Sequence, residues 1–357
     1  MTSKSVSDIF NWYNLSKYRN VIYGFSAIWI ILFHIANRFP NSVKYFHPFI
    51  VRLFQAGNVG VDIFLIMSGI CLYFSLKKTN GKHILNFYKK RFSKLLKIYL
   101  FVCLPWFIFC TLSDGEDFNF FFNQATIFGN KLGEFWFINF IAICYLVYPL
   151  IYQLIEKKKS YYIIIFIPIY IIFLCILNAT CKDFYQYCEI GLTRVIPFLV
   201  GSLLATRVYE KKPIKQSTVL IILALLFIRD AFFIILQKKG FTAFEPALSR
   251  FYLTVLALST IFLIIIFFEL FKLPKTRHIL ESVGNISLES YVVHIIILKS
   301  LVDKNHFATK NITQLIIFTV AITVVSLLIS KLVQKILNLI PPRPPKHPVS
   351  SPSSPPL

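Results

Sequence analysis

Tyr23-Gly-Phe-Ser-Ala-Ile-Trp-Ile-Ile-Leu-Phe-His34 is an apolar stretch that ends on a histidine, and after a polar gap it is followed by Gly57-Asn-Val-Gly-Val-Asp62. A titratable side chain inside hydrocarbon is costly unless it is paired or faces water, so each such residue is a candidate functional group. Outward from this stretch, windows of about 20 apolar residues, enough to cross a hydrocarbon core of roughly 30 Å, recur along nearly the whole chain. They leave no room for a soluble catalytic domain, so any chemistry belongs to membrane helices and their loops.

The composition agrees. Hydrophobic residues make up 56% of the 357 positions, charged residues only 15%, and the mean hydropathy is +0.66; a soluble domain carries charge at about a quarter of its positions. The expected fold class is all-α, a polytopic membrane helix bundle. The net charge of +22 raises nucleic acid as a partner, but basic residues confined to alternate loops are a topology signal, so no nucleic acid is expected. The first hydrophobic stretch is too long for a signal peptide and has no small-residue cleavage site behind it, so it is expected to stay as the first span.

Ten spans are expected, at about 20–37, 58–76, 94–113, 134–154, 161–179, 187–206, 217–236, 248–271, 283–302 and 312–337. With this count the loops on one side hold 25 Lys and Arg, eight of them between Lys77 and Lys97, against ten on the other side. The basic side faces the cytoplasm by the positive-inside rule, and both termini with it. The expected organisation is a cytoplasmic N-terminal segment (1–19), a ten-helix membrane domain (20–337) and a Pro/Ser-rich disordered tail (338–357). The seven cysteines form no Cys-x-x-Cys pair and read as core fillers. Cys181 and Cys188, flanking one outer loop, are the one candidate disulfide.

Seven ionisable groups fall between mid-membrane and the outer face: His34, Asp62, Arg194, Arg229, Asp230, His294 and Lys299. At about 1.5 Å per residue His34 lies roughly 22 Å above the inner end of span one, at a depth similar to Asp62 near the outer end of span two. Each group also has a plain explanation. His34 reads equally as a hydrogen-bonded core histidine, Asp62 as a first-turn acid favoured by the helix dipole, Lys299 as a snorkelling side chain, and Arg229 with Asp230 as a private ion pair. As a set they are most cheaply accommodated around one polar cavity opening outward. On the inner side, Phe87-Tyr-Lys-Lys-Arg-Phe-Ser-Lys-Leu-Leu-Lys97 is a basic amphipathic run, suited to lipid headgroups or to a phosphorylated cytosolic ligand. The chain has no P-loop, Gly-x-Gly-x-x-Gly, His-Glu-x-x-His or Gly-x-Ser-x-Gly motif, and no metal is expected.

Six segments in order resemble the third family of membrane acyltransferases, enzymes that acylate extracytoplasmic glycans and related molecules. They are the helix ending Trp29-Ile-Ile-Leu-Phe-His34; Gly57-Asn-Val-Gly-Val-Asp-Ile-Phe-Leu-Ile-Met-Ser-Gly69; the basic stretch from Phe87 to Tyr99; Phe135-Trp-Phe-Ile with Tyr145 and Pro149; Arg194 to Gly201; and Gly284-Asn-Ile-Ser-Leu-Glu-Ser-Tyr-Val-Val-His294. The resemblance runs from about residue 18 to 336. It departs at Tyr23, where the family carries an arginine eleven positions before the histidine; Arg19 lies one turn earlier. The paired arginines before span three are partly lysine here, as Lys90, Arg91 and Lys94.

The resemblance implies a membrane-bound O-acyltransferase that moves an acyl group, in the first instance acetyl, from cytosolic acetyl-CoA to a hydroxyl of an extracytoplasmic glycan, as a multi-pass protein of a bacterial plasma membrane. It implies His34 as general base with Asp62 or a neighbour orienting the ring; Arg19, Lys90, Arg91 and Lys94 as the CoA-binding cations; and Trp136, Arg194, Tyr291 and His294 at the acceptor. The competing expectation, from a different class, is a carrier or exporter of a glycan precursor that performs no acyl transfer.

Overall fold

The computed structural model describes residues 10–44, 46–114, 135–222, 224–225, 245–303 and 311–339. Among these residues the protein is built from helices, with no β-strand beyond one isolated bridge between Asn11 and Pro213. Helix α1 spans Arg19–Arg38 and α2 Pro48–Gln55, joined by a 3₁₀ turn to α3, Val59–Lys77. The basic helix α4, Ile84–Ile98, runs through a π turn at Tyr99–Cys103 into α5, Leu104–Asp114. Then come α6 (Trp136–Glu156), α7 (Ser160–Thr180), α8 (Lys182–Leu192), α9 (Val195–Tyr209), α10 (Glu245–Phe271), α11 (Pro274–Asn285), α12 (Ser287–Leu298) and α13 (Ile312–Leu339).

Eight described stretches are long and apolar enough to cross a membrane, and α11 with α12, bent by 75° at their junction, makes a ninth if the pair is one span. The protein is therefore a multi-pass all-α membrane protein. Nine of the ten expected spans have a counterpart; the remaining one, 217–236, lies largely outside the described residues, as do Arg229, Asp230 and the 338–357 tail beyond Leu339.

Lipid tails are as apolar as leucine, so helices in a membrane associate through close packing and small residues. Gly24 on α1 shows the principle, because a Cβ there would come within 1.9 Å of the Leu280 carbonyl oxygen of α11. Gly284 reciprocates, with a Cβ falling 1.9 Å from the Asn20 carbonyl oxygen. These contacts seat α11 against the inner half of α1, and α12 then rises beside the outer half. Gly201 of α9 sits in the same way against α3, where a Cβ would lie 2.0 Å from the Ile66 carbonyl oxygen.

Two expectations change. Cys181 and Cys188 are both free thiols; Cys181 caps α8 and Cys188 lies two turns into it, about 10 Å along the axis, beyond the reach of a disulfide. Asp62 is also deeper than expected. The second span begins at Pro48, not near Asn58, because α2 and the 3₁₀ turn carry the chain down along α1 before α3 starts. Gly60 packs on Ser26 and Ile30, which puts Asp62 one to two helical turns, roughly 10 Å, on the inner side of His34.

Gly201→Val drives a branched side chain into the Ile66 backbone. Overpacking of this kind costs about 1–3 kcal/mol, so the solubilised protein is expected to melt several degrees lower; an unchanged melting temperature would show that α3 and α9 can separate freely.

Candidate functional site

The end of the bundle where α1 begins and α3 ends, expected from the basic loops to be the inner one, opens into a cavity of about 780 Å³. Its wall carries Arg19, Lys78, His83, Lys90, Arg91 and Lys94, and no described carboxylate lines it. The sequence builds this wall by placing Lys90, Arg91 and Lys94 within one turn of α4, on a single face, while Phe87 and Leu95 of the same helix are buried. Arg91 is held by a hydrogen bond from its guanidinium to the Cys71 carbonyl oxygen (3.4 Å) and lies over the Phe87 ring. All four expected donor-binding cations thus meet in one basic cup, joined by Lys78 and His83, which belong to the same basic loop but were not singled out from the sequence. Tyr23 also lines the cup, one turn above Arg19, so the residue one turn earlier reaches the chamber that the departure at Tyr23 had put in question.

Above the cup lies a narrower cavity of about 190 Å³. It shares Tyr23, Arg91, Lys94 and Ser287 with the cup, so the two are contiguous. Along α1 it runs from Tyr23 to Ile30, roughly 10 Å. Its wall is aromatic: Tyr23 stacks on Phe64 with ring centroids 5.2 Å apart, Phe64 meets Phe137 at 6.3 Å, and Phe137 meets Tyr291 at 5.3 Å. A wide basic cup therefore adjoins a short shaft whose charged lining groups, among the described residues, are Arg91 and Lys94, both shared with the cup.

One turn beyond Ile30 stands His34, and three residues beyond Tyr291 stands His294; their rings are 5.2 Å apart and inclined at 45°. Neither imidazole is among the residues that line the shaft; the pair stands beyond its far end. Nδ1 of His294 is 2.7 Å from the Ser290 carbonyl oxygen. A carbonyl only accepts, so Nδ1 carries the proton and Nε2 of the neutral ring is a bare acceptor. That Nε2 is buried and has no hydrogen-bond partner among the described residues. His34 is half-buried.

Of the seven groups expected around one outward-opening cavity, Arg229 and Asp230 lie outside the described residues, and the others are arranged as follows. Asp62 forms a buried ion pair with Arg194, the residue that caps α9, and Arg194 also donates to the Asn58 side chain at 2.6 Å. Arg194 is 0% and Asp62 1% exposed. Low dielectric makes an unpaired charge here expensive, so each residue depends on the other. The imidazole beside His34 is that of His294, and the pairing of two histidines from helices 260 positions apart was not readable from spacing. Trp136 opens α6 and packs on Phe137 and Phe140, lining neither cavity, whereas Phe137 and Tyr291 line the shaft. Lys299 begins the π turn Lys299–Asp303 at the end of α12. Among the described residues no cluster of three or more metal-ligating side chains occurs.

A family model for an acyltransferase domain, acyltransferase family 3, matches residues 18–331. No curated protein and no solved structure matches the chain significantly.

Removing one member of a buried ion pair leaves an uncompensated charge and costs about 3–5 kcal/mol. Arg194→Ala and Asp62→Ala are each expected to lower thermal stability in detergent sharply, and the double variant to lose less than the two losses combined; strict additivity would mean that the pair is not coupled.

Proposed function

This chain belongs to acyltransferase family 3 and is a membrane acyltransferase, and from that premise we propose that it transfers a short acyl group, acetyl first, from cytosolic acyl-CoA to a hydroxyl of an extracytoplasmic sugar. The observation that carries the reading is the shared wall of the basic cup and the aromatic shaft, whose far end lies one turn below His34 and His294. The nucleotide end of CoA is polyanionic, and its pantetheine arm is slender and uncharged. Arg and Lys are the usual phosphate partners, Arg through its planar fork and Lys as a point charge. In this reading Arg19, Lys90, Arg91 and Lys94 hold the phosphates, and the arm lies along Tyr23, Phe64 and Phe137 with its thioester toward the histidines.

His34 then takes the proton of the acceptor hydroxyl, the freed oxygen attacks the thioester carbonyl, the carbon–sulfur bond breaks, and the CoA thiolate leaves and is reprotonated. Nε2 of His294 is the acceptor available to a ring N–H of His34, which would leave the other His34 nitrogen bare for the hydroxyl. Asp62 acts at one remove, by fixing Arg194 and with it the packing of α3 against α9. The positive-inside pattern supports a cytoplasmic cup and a cell-membrane location.

His34→Ala, in protein that still reaches the membrane, is expected to abolish acylation of the acceptor, a loss on the order of 10²–10⁴ or more; full acylation by this variant removes His34 from the mechanism. Purified protein given labelled acetyl-CoA and a sugar acceptor separates the enzyme from a carrier, since only the enzyme releases CoA in step with labelled glycan. Across acetyl-, butyryl- and octanoyl-CoA the rate is expected to fall with chain length; equal rates would contradict a preference for a short acyl donor.

A further inference from the structure

The mechanism makes no use of Glu289, yet this carboxylate is among the most buried ionisable groups of the protein. It lies in the first turn of α12 and is 2% exposed. One carboxylate oxygen is 3.4 Å from the Lys94 ammonium, and the other is buried with no hydrogen-bond partner among the described residues. Lys94 lines both the basic cup and the shaft, where the two adjoin, and Glu289, which lines neither, stands behind it. Stabilising the start of α12 through its dipole explains an acid in the first turn. It does not explain one that has given up water, leaves an oxygen unsatisfied and relies on a half-exposed lysine, because an exposed acid does that work at lower cost.

We propose that Glu289 is an electrostatic stop: a fixed negative charge behind Lys94 that opposes the advance of the donor's phosphates and lets only its uncharged arm pass into the shaft. The proposal rests on the reading of the cup as the site of an anionic acyl-CoA. Two effects of Glu289 on that anion oppose each other. Glu289 restrains Lys94, which favours binding, but through a single contact to a side chain that is 55% exposed, and such pairs contribute little. It also repels a phosphate held by Lys94 or Arg91, across a partly solvated boundary that screens less than bulk water. At a separation of about 10 Å the repulsion per unit charge corresponds to roughly a twofold to tenfold weakening of binding, and it prevails. The stop therefore weakens CoA binding, including that of the CoA left after transfer, and sets how deep the thioester travels.

The test is binding of free CoA and of acetyl-pantetheine, which lacks the nucleotide, to purified wild-type and Glu289→Gln protein at low and high salt. Glu289→Gln is expected to bind CoA roughly twofold to tenfold more tightly, to leave acetyl-pantetheine unchanged, and to lose most of the difference at high salt. Unchanged or weaker CoA binding, or an equal shift in both ligands, overturns the stop, since a purely structural role does not distinguish them. Wild-type protein that binds no CoA overturns the donor reading, and the stop with it. If Glu289→Gln does not fold, Lys94→Gln is compared with Lys90→Gln: the former is expected to weaken CoA binding more, because it also unmasks Glu289, and equal weakening overturns the proposal.

Discussion

The contact of α1 with α11 sets the geometry of everything above it. Gly24 and Gly284 let the two backbones approach so closely that a methyl group on either would occupy the other helix's carbonyl. With α11 seated there, the 75° bend at Ile286 falls at the level of the basic cup, and α12 turns up along α1. That path carries Glu289 to the neck, Tyr291 to the shaft wall and His294 to the ring of His34. A larger side chain at the contact would move all three together, so a packing constraint far from the histidines controls their separation.

The described charges within the bundle are met in two physically different ways. Asp62 and Arg194 neutralise one another, with Asn58 taking a further guanidinium hydrogen bond; such an arrangement is stiff and has little capacity left for a ligand. The histidines are left incomplete. Nδ1 of His294 is occupied by a backbone carbonyl while Nε2 is unused, which suits a group that must give and take hydrogen bonds. The cavities divide in a similar way, with six basic side chains around the wide cup and mainly aromatic and aliphatic groups around the narrow shaft. Of the charged groups described, most of those near a cavity stand around the cup, and the shaft carries Arg91 and Lys94, which it shares with the cup, with Glu289 behind Lys94.

The membrane class and most of the spans were legible in the sequence, because hydrocarbon imposes a length of about 20 apolar residues, and the polar candidates stood out because it makes every buried charge conspicuous. The grouping of Arg19 with Lys90, Arg91 and Lys94 came from the resemblance, and all four lie on the wall of the cup. Partnership was not legible. Asp62 was expected at the depth of His34, but α2 and the 3₁₀ turn lower the start of α3 and give its carboxylate to Arg194. Glu289 read as part of a motif and not as a charge, since only burial distinguishes it from an ordinary first-turn acid. The sequence by itself determined which groups must be shielded from lipid and where the chain crosses it. Only the tertiary structure decided which group shields which, because helix register and close glycine packing are set by surfaces that meet across hundreds of residues and leave no periodic trace along the chain.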